Sequence, residues 1–327
     1  MAGSDEVAQA LWYVGPGRAE IRAERLSPLA ERTVRVRARH GAISRGTEAL
    51  VAAGRVPASE YQRMRGPFMG GAFPFPVKYG YATVGPVEAG PREWLGRTVF
   101  ALHPHQTLFD VPLDAAVPVP RDIPASRAVL AANMETALNA TWDAAPVPSG
   151  PIAVIGAGVV GALAGFLCAR VPGAEVTLVD VNPARAQLAL ALGLNFASPE
   201  DAPPDCELVI HASATAAGLT TAINCAGEEA TIIELSWYGS GLVSIPLGGA
   251  FHSRRLRIVS SQVGKVAPAR RATTTPRQRL EQAIELLADD RLDALLAPAV
   301  PFHDLPERLP DILHRQNGVL CQLIDYP

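Results

Sequence analysis

Along the first 120 residues, apolar and polar positions alternate in short bursts at 9–14, 19–22, 33–38, 81–88, 97–101 and 108–111, with glycine and proline crowded between them. A period of two punctuated in this way reads as half-buried strands, and it predicts a small antiparallel barrel rather than a βα repeat. One stretch, 54–80, breaks the pattern and carries Tyr61, Arg63, Met64, Arg65, Phe68, Phe73 and Phe75. It is too long for a passive connection and is expected to form a lid or substrate-binding loop. From about residue 123 the pattern changes. Positions 126–145 have helical periodicity, and apolar runs at 151–155, 175–180, 195–196, 208–211, 231–235 and 256–259 then alternate with helical segments at 159–171, 183–192 and 218–225. That alternation predicts a doubly wound parallel sheet. After residue 262 come a basic segment, a helix at 277–288 and a last strand near 319–324, which are expected to return to the first domain. The expected organisation is therefore 1–132, 133–262 and a returning tail, 263–327.

Within the alternating region, Val154-Ile155-Gly156-Ala157-Gly158-Val159-Val160-Gly161 joins an apolar strand to a helix, and Asp180 closes the next strand. In this setting the three glycines have separate duties. Gly156 permits a tight turn, Gly158 lets the backbone approach a pyrophosphate, and Gly161 lets the helix pack on its strand. The amides around Val160 at the helix start then face phosphate, and Asp180 accepts hydrogen bonds from an adenosine ribose. A carboxylate there repels a 2′-phosphate, so NAD is expected over NADP; Arg185, five residues on, tempers that preference.

The remaining composition narrows the function classes. The chain has 327 residues, 48% of them hydrophobic, and a net charge of −3. That length suggests two domains, and the balanced charge points to neither nucleic acid nor an acidic or basic partner. The longest apolar run, 156–169, is too short to span a bilayer, and residues 1–10 lack a signal-peptide pattern, so a cytoplasmic location is expected. Cys168, Cys206, Cys225 and Cys321 show no CxxC spacing and read as buried thiols rather than disulfides or a zinc lobe. His103-Pro104-His105 is the one local histidine pair, and it reads as a polar loop rather than a metal site.

A strand-rich first domain, a central nucleotide fold and a returning tail together resemble the medium-chain dehydrogenase/reductase superfamily over nearly the whole chain. The resemblance implies an α/β fold with a GroES-like antiparallel β-barrel catalytic domain and a Rossmann doubly wound parallel sheet. Gly41-Ala42-Ile43-Ser44-Arg45-Gly46-Thr47-Glu48 looks like the segment in which zinc alcohol dehydrogenases carry a liganding cysteine, here Ser44. Gly80-Tyr81-Ala82 looks like their Gly-His-Glu, with Tyr81 in place of the histidine, and the third ligand position aligns with Ala132. Zinc prefers thiolate, imidazole or carboxylate, so no zinc is expected. The Ile-Ser-Xaa-Gly-Thr-Glu form is similar to the branch containing bacteriochlorophyllide a dehydrogenase, although the loop 54–80 departs from it. By position, the resemblance assigns Arg45 to the cofactor pyrophosphate and Thr136 to the nicotinamide. It likewise assigns Ala212, Ser213, Ser236 and Trp237, at the ends of the fourth and fifth parallel strands, to the nicotinamide. It also implies a homodimer joined through the sheet edges of the nucleotide domains.

Hydride transfer to or from an alcohol requires a group that stabilises or protonates the alkoxide. Tyr81, Lys78, Ser44, Thr47 and His103 are the candidates, with Lys78 expected to lower the Tyr81 phenol pKa. Glu48 is expected to orient Arg45 or Lys78, or to be an acid. The expected function is a zinc-independent, NAD-dependent interconversion of hydroxyl and carbonyl on a sizeable small molecule. Reduction of a conjugated alkene, an inactive nucleotide-binding protein, and a displaced metal site using His40, Glu48, His103 or His105 are the alternatives.

Overall fold

The computed structural model describes residues 6–314 and 318–327. The chain divides into two compact units, Met1–Ala132 with Leu296–Pro327, and Asn133–Leu295.

In the first unit, Val7–Gly15 and Arg18–Arg25 form an antiparallel hairpin, extended by Val77–Lys78 and Gly70–Gly71. A larger sheet runs Val117–Pro118, Thr98–Ala101, Thr83–Ala89, His40–Ile43, Cys321–Asp325 and Leu296–Pro301, and Thr33–Arg37 bridges Thr83–Ala89 to Leu108–Pro112. The C-terminal strand pairs antiparallel with His40–Ile43, with Gln322 opposite Ile43, and parallel with Leu296–Pro301. The tail thus completes the larger sheet of the first unit. Parts of the stretch 54–80 are anchored in the unit. Met69 and Phe73 are buried, and Tyr61, Phe73, Tyr79 and Tyr81 form a ladder with successive ring centroids 5.8, 5.9 and 6.0 Å apart.

The second unit carries six parallel strands in the spatial order Asn195–Ala197, Glu175–Val179, Pro151–Ile155, Cys206–His211, Ala226–Glu234, Arg257–Ser260. In sequence order that is 3-2-1-4-5-6, whose reversal point lies at Pro151–Ile155 and Cys206–His211. Helices Val159–Cys168, Arg185–Leu192 and Ala216–Cys225 connect the strands. One face of the sheet is closed by Ile155, Val179, Val209, Leu219, Ile223 and Ile232. The helix expected over 126–145 forms as two pieces, Ala125–Ala128 and Ala131–Asp143.

Residues 263–295 pack with this second unit, although the expected boundary assigned them to the first. The physical reason is Arg279, only 2% exposed. It donates to Glu135 Oε1 at 3.0 Å, Asn139 Oδ1 at 2.6 Å and the Lys265 carbonyl at 3.1 Å. Ala267 N adds a bond to Asn139 Oδ1 at 3.0 Å. A buried guanidinium needs several acceptors, and these lie on helix Ala131–Asp143 and on the segment that precedes Arg279.

Candidate functional site

The fingerprint turn has the geometry its glycines require. Gly156 adopts φ +104, and a Cβ added there meets Ser213 N at 2.7 Å. At Gly161 an added Cβ meets the Gly156 carbonyl at 2.0 Å, which only glycine avoids. Gly158 caps the helix in an extended conformation and faces open space. Val160 and Ala212 are partly buried beside this turn, and the Ala212 methyl lies 3.3 Å from the position a Cβ on Gly161 would take. Asp180 braces the loop, accepting from Ala157 N through Oδ2 and from Asn182 N through Oδ1, both at 2.8 Å. Arg185 lies in the field of Asp180; burial lowers its pKa and the carboxylate opposes that. Thr136 is partly buried on helix Ala131–Asp143.

At the carboxyl ends of the fourth and fifth parallel strands the sequence expectation was incomplete. Ser213 and Ser236 belong to a polar network whose other members are His211, Glu234, Thr215 and Tyr238. His211 is fully buried; its Nδ1 is 2.7 Å from Glu234 Oε2 and its Nε2 is 2.7 Å from Ser213 Oγ. Ser236 N and Tyr238 OH donate to Glu234 at 2.7 and 3.1 Å. Burial pushes the Glu234 carboxyl up, but the hydrogen bonds from His211 and Ser236 outweigh it and hold the group below the ordinary carboxylate range. Trp237 is partly buried between Ser236 and Tyr238 in sequence. One signal of this network was legible: Glu234 is a lone charge ending the apolar run Thr231-Ile232-Ile233.

In the first unit, Tyr81, Ser44 and Thr47 come together. Burial raises the Tyr81 phenol to about 12, against hydrogen bonds from Ser44 and Thr47 that favour the phenolate. Lys78 is not its partner. The ammonium donates to Glu24 Oε2 at 2.6 Å and Gln106 Oε1 at 2.8 Å, so the expected lowering of the phenol pKa is corrected to a rise. His103 is also corrected as a proton-transfer candidate. Its ring stacks on Phe109 at 4.0 Å and beside Phe68 at 5.5 Å, and burial lowers its pKa to about 3, leaving it neutral.

Glu48 orients neither Arg45 nor Lys78. It is fully buried and accepts from Tyr13 OH at 2.7 Å and Ser44 N at 2.7 Å, with His105 Nε2 at 2.9 Å. Gly80, at φ +122, leaves room for that imidazole, since an added Cβ falls 2.7 Å from His105 Nε2. Tyr13 went unrecognised because its strand looks like ordinary core, and His105 reads from the sequence only as a loop histidine or an alternative metal ligand. Arg45 donates to the carbonyls of Val319 and, at 2.7 Å, His314, fastening the end of helix Leu305–Leu313. His40 pairs with Asp325 at 2.9 Å. Of the four residues of the displaced metal alternative, Glu48 and His105 meet, while His40 pairs with Asp325 and His103 stacks on Phe109; among the described residues no three His, Cys, Asp or Glu side chains are grouped to hold a metal ion. Nor is any described helix long and apolar enough to cross a membrane.

Solved structures share this architecture end to end. L-idonate 5-dehydrogenase from Escherichia coli K-12 superposes with a TM-score of 0.80 at 14% identity, covering 98% of this chain and 99% of that one. The chain has the medium-chain dehydrogenase fold. The same fold is seen in a protein described as a zinc-binding dehydrogenase from Sinorhizobium meliloti 1021 bound to NADP, with a TM-score of 0.78, 16% identity and coverage of 98% and 99%. It is seen again in a protein described as a short chain alcohol dehydrogenase from E. coli CFT073 complexed with NADH, with a TM-score of 0.77, 16% identity and coverage of 98% and 99%. No protein-family model matches the sequence, and no curated protein does.

Proposed function

We propose that this protein is a medium-chain dehydrogenase/reductase that interconverts a hydroxyl and a carbonyl on a sizeable small molecule by NAD(H)-dependent hydride transfer without zinc. The observation that carries the cofactor half is the glycine turn: Gly156 is left-handed, Gly161 is in contact with the Gly156 carbonyl, and Gly158 is open to a pyrophosphate. These residues fit a dinucleotide, and the Asp180 carboxylate favours NAD because it repels a 2′-phosphate. When bound, the nicotinamide supplies or accepts the hydride.

The residues at the zinc positions do not fit that metal. Ser44 and Tyr81 are hydrogen-bonded hydroxyls, Ala132 offers no donor, and zinc requires thiolate, imidazole or carboxylate. No step is routed through a metal. Proton handling falls instead to Tyr81, whose phenol stays protonated at neutral pH and is held by the Ser44 and Thr47 hydroxyls. Reduction of a ketone needs such a donor at the developing alkoxide, and the hydroxyls stabilise the phenolate left behind. The homodimer belongs to the same reading, with the edge strand Arg257–Ser260, where Val259 is 37% exposed, available for pairing.

Titration with NADH and NADPH, followed by turnover on secondary alcohols and their ketones, tests this reading. NADH is expected to bind more tightly. Tyr81→Phe is expected to lower turnover about 100-fold with unchanged NADH affinity. Wild-type turnover in Tyr81→Phe, or stoichiometric zinc whose removal abolishes activity, would overturn the proposal. Light scattering that returns a monomer mass would remove the dimer.

A further inference from the structure

The hydrogen-bonded array in the second unit has a chemistry that hydride transfer does not use. Glu234 Oε2, His211 Nδ1, His211 Nε2 and Ser213 Oγ form a continuous chain with 2.7 Å at each heteroatom contact. An ionised carboxylate holds one imidazole nitrogen as the N–H, so the other accepts the serine proton; this is the arrangement of an activated serine nucleophile. We infer that Ser213, with His211 as general base and Glu234 as the group that orients it, is a nucleophilic centre for acyl transfer from small carboxylic esters.

Three further observations support it. Ser213 sits on the sharp turn between strand Cys206–His211 and helix Ala216–Cys225, at the carboxyl edge of the parallel sheet, where a side chain leaves the sheet toward ligand. The turn is strained. Ala214 adopts φ +53, which costs a residue with a Cβ, and it is held there by a bond from its N–H to Ser236 Oγ at 3.0 Å. The serine is also closely packed, which fixes its position. A Cβ on Gly218 would lie 2.0 Å from Ser213 Oγ, and one on Gly156 would lie 2.7 Å from Ser213 N. Thr215 Oγ1, which accepts Gly218 N–H at 3.0 Å, also lies at hydrogen-bond distance, 3.0 Å, from Ser213 Oγ. The Ser236 and Tyr238 hydroxyls, 3.3 and 3.4 Å from His211 Nδ1, complete the surroundings of the imidazole.

In the reaction, Ser213 Oγ attacks the ester carbonyl carbon as its proton passes to His211 Nε2. The tetrahedral intermediate expels the alcohol, which takes that proton, and leaves an acyl-serine. Water, deprotonated by His211, then attacks the acyl carbon, releasing the carboxylic acid and returning the proton to Ser213. The net change is ester plus water to acid plus alcohol.

The test uses the full chain with no nicotinamide added. A fluorophosphonate is expected to leave one covalent adduct on the peptide containing Ser213, and p-nitrophenyl acetate is expected to be hydrolysed. His211→Asn and Glu234→Gln, each confirmed folded by circular dichroism, are expected to slow labelling by at least about 100-fold, and Ser213→Ala to abolish it. An unmodified wild-type protein, an adduct located elsewhere, or wild-type labelling rates in folded His211→Asn would each overturn the proposal. Location of the adduct in the wild-type protein keeps the test decisive even where a variant fails to fold.

Discussion

Tyr81 and His103 show how a side chain's surroundings set its chemistry. Burial holds both neutral at pH 7, but only Tyr81 keeps a transferable proton beside hydroxyl partners. His103 instead contributes a pH dependence. Its folded pKa of about 3 lies below its unfolded value of ~6.5, so the unfolded chain takes up a proton first as pH falls. The associated stability is complete above ~6.5 and declines by up to about 1.4 kcal/mol per pH unit below it, until about 3. Urea unfolding at pH 7.5 and pH 5 checks this, and His103→Phe, which preserves stacking on Phe109, is expected to be less sensitive over the same interval. None of this was visible in His103-Pro104-His105 as a motif. The two imidazoles there have different environments, an aromatic stack for His103 and the Glu48 carboxylate for His105.

Elements differ in how much of their geometry is local. Strand, turn and helix over Pro151–Cys168 were readable because the apolar run and the glycine spacing are local, and Gly161 answers a steric demand from the Gly156 carbonyl five residues away. Gly161→Ala is therefore expected to push the helix off its strand, lowering NADH affinity more than about tenfold and costing about 1–3 kcal/mol of stability, as measured by fluorescence titration and urea unfolding. Helix Pro276–Glu285 begins within one residue of its expected start at 277, and Thr275 and Gln278 form a capping box there. Thr275→Ala is expected to cost about 1 kcal/mol. What the helix packs against was not legible, because Arg279 reads as one more basic residue until Glu135 and Asn139 are brought beside it. Arg279→Met strands the Glu135 carboxylate in the core and is expected to cost about 3–5 kcal/mol. Adding Glu135→Gln is expected to restore part of that loss, a coupling measurable by a double-mutant cycle.

At the scale of the whole molecule, one unit is continuous in sequence and the other is not. Residues 133–295 contain all six parallel strands and the glycine turn, so this fragment is expected to fold alone and bind NADH, by circular dichroism and fluorescence titration. The first unit needs both ends of the chain. Cys321–Asp325 lies between His40–Ile43 and Leu296–Pro301, so a chain ending at residue 295 leaves His40–Ile43 without its partner on that side. Such a truncation is expected to lose the sheet signal of the first unit while retaining NADH binding.

By itself, the sequence determined the fold class, the parallel sheet, the return of the last strand and the glycine turn, because periodicity and steric demands act over neighbouring residues. Only the tertiary structure decided which charges and polar groups meet: Glu48 with Tyr13 and His105, Lys78 with Glu24 rather than Tyr81, Arg279 with Glu135, and Glu234 with His211 and Ser213. Most of those partners lie on separate segments far apart in sequence. Burial makes an unpaired polar group costly, so the fold must supply each with a partner, but a linear pattern carries no record of which.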